Sequence, residues 1–166
     1  MNMIHNFLTF WNANKKQKVG IFILERDTIK LLKECDSGCK MAVDSIRQVK
    51  EYAEKESLIK ILDEYDKKHR KLRDDIATLL KEYDENGKEP EKMAAAFSWI
   101  TTEMKLMVND DSQKIAKIMM DGCNMGIQSL SEYINKYTEA SRESMALAKE
   151  VIKTEEAFAK AMREFL

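Results

Sequence analysis

The sequence predicts an all-α protein built as a four-helix bundle, and three observations carry this prediction. Only one Pro and five Gly occur among 166 residues, so few positions interrupt a helix. Hydrophobic residues make up 44% and charged residues 34% of the chain, which is typical of one helical domain with a buried core. Apolar residues recur at alternating spacings of three and four in four long segments, as expected for helices that face a common core.

The first two helices are predicted over residues 27–53 and 57–83, with Ser57 as the N-cap of the second. Because only a few residues separate them, they should form an antiparallel hairpin. The apolar face of the first helix comprises Leu32, Cys35, Cys39, Ala42, Ile46, Val49 and Ala53. That of the second comprises Leu58, Leu62, Tyr65, His69, Leu72, Ile76, Leu79 and Tyr83.

The segment DENGKEPEK ends the second helix, with Asn86-Gly87 as a stop and Pro90 close to a new start. A short helix is predicted over residues 90–107, a third long helix over 112–137 and a fourth over 139–165. The apolar face of the third long helix comprises Ala116, Met120, Cys123, Ile127, Leu130, Ile134 and Tyr137, and that of the fourth Ser144, Ala148, Val151, Glu155, Phe158, Met162 and Phe165. Gly122 and Gly126 indicate a close helix approach.

The connection between the second and third long helices decides the topology. At about 1.5 Å per helical residue, residues 85–111 are long enough to run the length of the bundle. The two helices that they join would then be parallel, which is the ferritin-like arrangement with one long crossover carrying a short extra helix. A five-helix up-and-down array is the competing topology.

Residues 1–24 differ in composition from the rest and precede the single domain predicted over residues 25–166. Their apolar patches are interrupted by Lys15, Lys16 and Lys18, which argues against a signal peptide or an anchor. One interpretation is that the native chain starts at Leu24, since leucine can be encoded by the bacterial start codon TTG. The other interpretation is a flexible N-terminal extension.

Charge and motifs exclude several classes of function. The chain has 28 basic and 29 acidic side chains, so no overall field attracts nucleic acid or an anionic membrane. No apolar run approaches the roughly 20 residues that a membrane span needs. Three cysteines are too few for a secreted disulfide scaffold and indicate a reducing cytoplasm. No Gly-rich phosphate loop or nucleophile motif is present, so hydrolytic or transferase chemistry has no visible residues to perform it.

Two ionisable residues, His69 and Glu155, occupy the otherwise apolar faces of the second and fourth helices. When residues are counted from the turns of the two hairpins, His69, Glu155, Cys39 and Cys123 fall at about the same depth in a bundle of parallel second and third helices. The favoured interpretation is a buried His69–Glu155 hydrogen bond without a metal, because either group alone would be costly to bury. Alternatively, the helices are registered differently and the two groups reach solvent separately.

A metal site is a third interpretation. Asp66 precedes His69 by three residues, which resembles the Glu-x-x-His spacing of carboxylate-bridged di-metal bundles. Asp66, His69 and Glu155 would then bind iron, manganese or zinc. Cys39 and Cys123 could join as soft ligands for zinc, although as buried cysteines they are expected to be small core residues. A second Glu-x-x-His is absent, since Phe158 follows Glu155 by three.

Several stretches resemble a group of uncharacterised ferritin-like proteins of Firmicute bacteria. They are ERDTIKLLKECDSGCKMAVDSI, DEYDKKHRKLRDDIATLLKEYDENGKEP, FSWITTEMKLMVNDDSQKIAKIMMDGCNMGIQSLSEYINKY and IKTEEAFAKAM. The resemblance covers residues 25–166 and implies a ferritin-like bundle in the bacterial cytoplasm, with no assigned reaction. Only Asp66, His69 and Glu155 match the ligand pattern of ferritin-like proteins, whereas Cys39, Cys123 and Phe158 depart from it.

The sequence therefore favours a non-enzymatic ferritin-like bundle that acts in interaction or stress physiology, with no cofactor. The alternative is a metal-binding redox or storage protein. Self-association is also predicted, as is common in ferritin-like bundles, through an apolar surface around Trp99 and Met104 of the short helix.

Overall fold

The computed structural model describes residues 3–87 and 111–166, and of residues 3–16 only the backbone. These parts form four α-helices and no strand, as the all-α prediction requires. The helices are α1 (Met3–Lys50), α2 (Glu56–Lys81), α3 (Ser112–Lys136) and α4 (Arg142–Met162), and a short 3-10 turn (Arg163–Phe165) follows α4. The short helix predicted over residues 90–107, with the apolar surface around Trp99 and Met104, lies outside the described residues.

The first helix begins far earlier than the sequence predicts. It was expected near residue 27, but α1 extends back to Met3. Residues 17–22 and 24–26 are exposed, whereas Asp27 and Thr28 are buried. Position 27 is therefore where packing begins and not where the helix begins, because a solvated helix needs no apolar stripe that periodicity could reveal.

Two of the helix starts predicted from the sequence are wrong. Ser57 is not the N-cap of α2, because the amide of Ile59 already donates to the carbonyl of Lys55 at 3.0 Å. The fourth helix starts at Arg142 and not near residue 139, since the Ser141 hydroxyl caps it by accepting from the Ser144 amide at 3.2 Å.

The third helix starts as the sequence predicts. Its N-cap is Asp111, whose carboxylate accepts a 3.0 Å hydrogen bond from the Lys114 amide. The second helix ends in a Schellman motif with Asp84 in the left-handed region at φ 54°. In this motif the amide of Glu85 donates to the carbonyl of Leu80, and the amide of Asp84 donates to that of Lys81.

Two clusters of buried side chains give the direction of each helix. One cluster joins the end of α1, the start of α2, the start of α3 and the end of α4. The other joins the packed start of α1, the end of α2, the end of α3 and the start of α4. It follows that α2 and α3 run parallel to each other and antiparallel to α1 and α4. Gly87 and Asp111 consequently lie at opposite ends of the bundle.

The four helices surround one core in which α2 and α3 lie on a diagonal. Each of these two packs against both α1 and α4, and α1 also contacts α4. His69 and Glu155 belong to the helices α2 and α4, which are neighbours in this arrangement. Within the described ranges, no helix is both long enough and apolar enough to cross a membrane.

Candidate functional site

A buried ion pair lies between α2 and α4. His69 is completely buried and Glu155 is 6% exposed. The ring Nε2 of His69 lies 3.0 Å from Oε1 of Glu155, so the pairing predicted from the sequence is confirmed. The other ring nitrogen, Nδ1, lies 2.7 Å from the carbonyl oxygen of Tyr65, one turn earlier in α2. Both nitrogens of the imidazole are therefore engaged.

The two partners of His69 decide how many protons the pair holds. A backbone carbonyl and an ionised carboxylate only accept hydrogen bonds. A neutral imidazole carries a single N–H and could donate to one of them but not to both. Either His69 is doubly protonated and Glu155 ionised, or Glu155 itself carries the proton. In both cases one proton lies between the two side chains and the pair has no net charge.

Electrostatics favours the first of these two states. Burial lowers the pKa of His69, but the hydrogen bond and the negative charge of Glu155, together with smaller contributions from Tyr65 and Asp66, raise it above its ordinary value. The Tyr65 carbonyl adds to this by accepting from Nδ1. The charged form of the ring therefore persists above the ordinary pKa of histidine, and the opposite charge of Glu155 offsets much of the cost of burying it.

Aromatic packing holds the imidazole in place. The rings of Tyr65 and Phe158 stack with centroids 4.4 Å apart and an interplanar angle of 12°. Phe158 also faces His69, with centroids 6.2 Å apart. Phe158 follows Glu155 by nearly one turn of α4, so the same helix supplies the anionic partner and an apolar wall. These contacts limit the rotation of the ring away from Glu155.

The cysteines near the pair are thiols. Burial raises the pKa of Cys123, and so do the charge of Glu155 and a hydrogen bond to it. Burial likewise raises the pKa of Cys39, to which Cys35 and Glu155 add. The pKa of Cys35 rises to about 12, chiefly through burial. Because metal coordination and nucleophilic attack both require thiolate, burial disfavours either role for these residues.

Asp66 is directed toward another partner. Its carboxylate accepts two hydrogen bonds from the guanidinium of Arg70, at 2.7 and 3.1 Å, on the outer side of α2. The spacing of three residues therefore leaves Asp66 on the surface, while both ring nitrogens of His69 contact other groups. Elsewhere too, the described ranges contain no group of three His, Cys, Asp or Glu side chains that could hold a metal ion.

A cavity of about 40 Å³ adjoins the pair on the side of α1 and α3. Glu155 forms part of its wall, together with Cys123, Gly126, Met41 and Phe158. This volume accommodates about two or three water molecules. Gly126 adds no side chain to this cavity. A Cβ built at this position would meet Glu155 at an ordinary contact distance of 3.7 Å.

Comparison of the chain with protein families, with curated proteins and with solved structures gives no match to any of them. The resemblance found in the sequence therefore stays a prediction, and the function has to be argued from the geometry of the chain itself.

Two contacts of the site were missed by reasoning from the sequence. The carbonyl of Tyr65 is a backbone group and leaves no trace in a residue pattern, although its position one turn before His69 is where a helical side chain can reach back. The turn of Asp66 toward Arg70 could have been read from their spacing of four residues, which suits an ion pair on a helix surface.

Proposed function

We propose that this protein is a non-enzymatic bundle of ferritin-like topology that acts in the bacterial cytoplasm through interaction or in stress physiology. In this proposal, a structural ion pair takes the place that metal ligands occupy in di-metal bundles. The single observation that supports it most is that both ring nitrogens of His69 point at acceptors. A metal ligand must offer a lone pair, and His69 has none to offer in this state.

The ferritin-like part of the proposal is supported by helix direction. Parallel α2 and α3, whose joining ends lie at opposite ends of the bundle, match the topology with one long crossover. The proposed difference from metal-binding ferritin-like proteins is supported by the side chain at position 158. Where a second Glu-x-x-His would place a histidine, Phe158 instead packs on Tyr65 and His69.

Metal content tests the proposal directly. After purification without chelator, the chain is incubated with iron(II), manganese or zinc, desalted and analysed by mass spectrometry for bound metal. We expect far less than one metal ion per chain, because binding at His69 would have to break its hydrogen bond to Glu155 or to Tyr65.

Matched variants make the test specific. Glu155→Gln removes the buried carboxylate, and Glu156→Gln changes a neighbouring exposed one. Near-stoichiometric metal in the unmodified chain would overturn the proposal. If that metal were lost in Glu155→Gln but kept in Glu156→Gln, the residual site with Asp66, His69 and Glu155 would explain it, and a redox or storage function would follow.

A further inference from the structure

The first helix projects past the end of the bundle. The hydroxyl of Thr28 accepts a 2.8 Å hydrogen bond from the amide of Ser141, just before α4 begins. This contact marks the level at which the bundle ends. Residues 17–22 and 24–26 lie beyond it and are exposed, although the helix is continuous through them. The projecting turns have no packing partner among the described residues.

The projecting turns carry most of the large exposed hydrophobic residues in the described part of the chain. Of the five large hydrophobic residues that are exposed in the described part, four lie here, and Phe22 and Ile21 are the most exposed at 66% and 57%. The other two are Val19 and Leu24. Clustered exposed apolar side chains of this kind mark an interaction surface more often than isolated ones do.

Two charges of opposite sign flank this apolar surface. Lys18 and Glu25 are both exposed, and neither forms an ion pair within the described chain. They are seven residues apart and therefore share one helix face, at an axial separation of about 10 Å. That is too far for them to pair with each other. Ile21 and Phe22 lie on the same face between them.

We propose that this face, formed by Lys18, Ile21, Phe22 and Glu25, pairs with the same face of a second copy of the chain in antiparallel orientation. A twofold axis between positions 21 and 22 places Lys18 opposite Glu25 of the partner subunit. The same axis places Ile21 opposite Phe22 of the partner subunit. The pattern is thus self-complementary, as an isologous dimer interface requires.

The two charges favour a second copy of the chain as the partner, and they favour its antiparallel orientation. A parallel pairing would place Lys18 opposite Lys18 of the partner subunit, and Glu25 would likewise face its own copy. An anionic lipid surface would attract Lys18 but repel Glu25. A second copy in antiparallel orientation is the partner that satisfies both charges.

Sedimentation equilibrium of the full chain over a range of concentrations tests the pairing. We expect a reversible dimer. Lys18→Glu and Glu25→Lys should each raise its dissociation constant by roughly tenfold, since two symmetry-related ion pairs become like-charge pairs. The double variant exchanges the two charges and should dimerise like the original chain. The two single variants, mixed in equal amounts, should form a heterodimer, because every contact then joins opposite charges.

Two controls keep the test decisive. Lys67→Glu makes the same charge change at an exposed position of α2 and should leave the dimer intact. Circular dichroism should show unchanged unfolding of the monomer in all variants, because the changed side chains lie outside the core. A chain that is monomeric at every concentration overturns the proposal, whether or not it sediments with anionic vesicles. So does a dimer that neither single charge change weakens.

Discussion

His69→Leu should destabilise the folded protein by about 3–5 kcal/mol, although it places an apolar side chain in an apolar core. The substitution leaves Glu155 buried with the charge of its partner removed. A buried carboxylate that loses its cation must either take up a proton or remain an uncompensated charge, and both cost free energy of folding. Urea denaturation near neutral pH measures the loss.

Adding Glu155→Leu to His69→Leu should recover most of that loss. Replacing both members of a buried pair by apolar groups of similar size is often neutral for stability. We expect the two changes to be coupled by about 3 kcal/mol or more in a double-mutant cycle, because each single change strands the other member of the pair and the double change strands neither. Glu156→Leu, at the adjacent exposed position, is the matched control and should be additive with His69→Leu. Additivity of His69→Leu with Glu155→Leu would mean that the two side chains do not interact.

The stability of the protein should fall as pH rises above about 6.5, the ordinary pKa of histidine in an unfolded chain. The folded state raises the pKa of His69 because Glu155 stabilises the cation. Between the unfolded and the folded pKa, the folded state therefore holds more protons than the unfolded state. The stability that the protonated His69 contributes is complete below its unfolded pKa and is lost as the pH passes through its folded pKa. Urea titrations at pH values from 5.5 to about 7.5, where an ordinary unfolded thiol is still largely protonated, measure this slope.

Glu155→Gln should reverse the sign of the slope. Without the carboxylate, burial is the largest remaining influence on His69 and lowers its pKa. The amide of the glutamine can donate to Nε2 of a neutral ring, so the fold tolerates the change. Stability should then rise toward pH 6.5 and level off above it. Equal slopes in the two proteins would contradict a His69 cation held by Glu155. Both proteins should carry His5→Asn, so that His69 is the one histidine that titrates.

The level of the site along the bundle axis could be predicted from the sequence because the loops within each hairpin are short. Few residues separate α1 from α2 or α3 from α4, so counting from the turns fixes which side chains share a layer. That count placed His69 level with Glu155 and near Cys123, and the structure brings all three together. The parallel direction of α2 and α3 was essential to the count.

Periodicity could not reveal features that lie outside the core. The projecting turns of α1 carry apolar residues on several sides, so no single stripe distinguishes them from a loop. Asp66 illustrates a different limit. Its spacing from His69 permits a shared face, but Arg70 one turn further on offers a solvated ion pair, which avoids the cost of burying another carboxylate. Whether Asp66 turns toward His69 or toward Arg70 depends on its side-chain conformation, which residue spacing does not determine.

The protonation of His69 can be measured directly by nitrogen-15 NMR of the imidazole side chain in the His5→Asn protein, where His69 is the single histidine. We expect both Nδ1 and Nε2 to carry protons at neutral pH, with the cation persisting above the ordinary pKa of histidine. We also expect the spectrum to stay unchanged when iron, manganese or zinc is added or when chelator is present. A ring nitrogen that is unprotonated at neutral pH, or that shifts on addition of metal, would contradict a structural ion pair at the centre of this bundle.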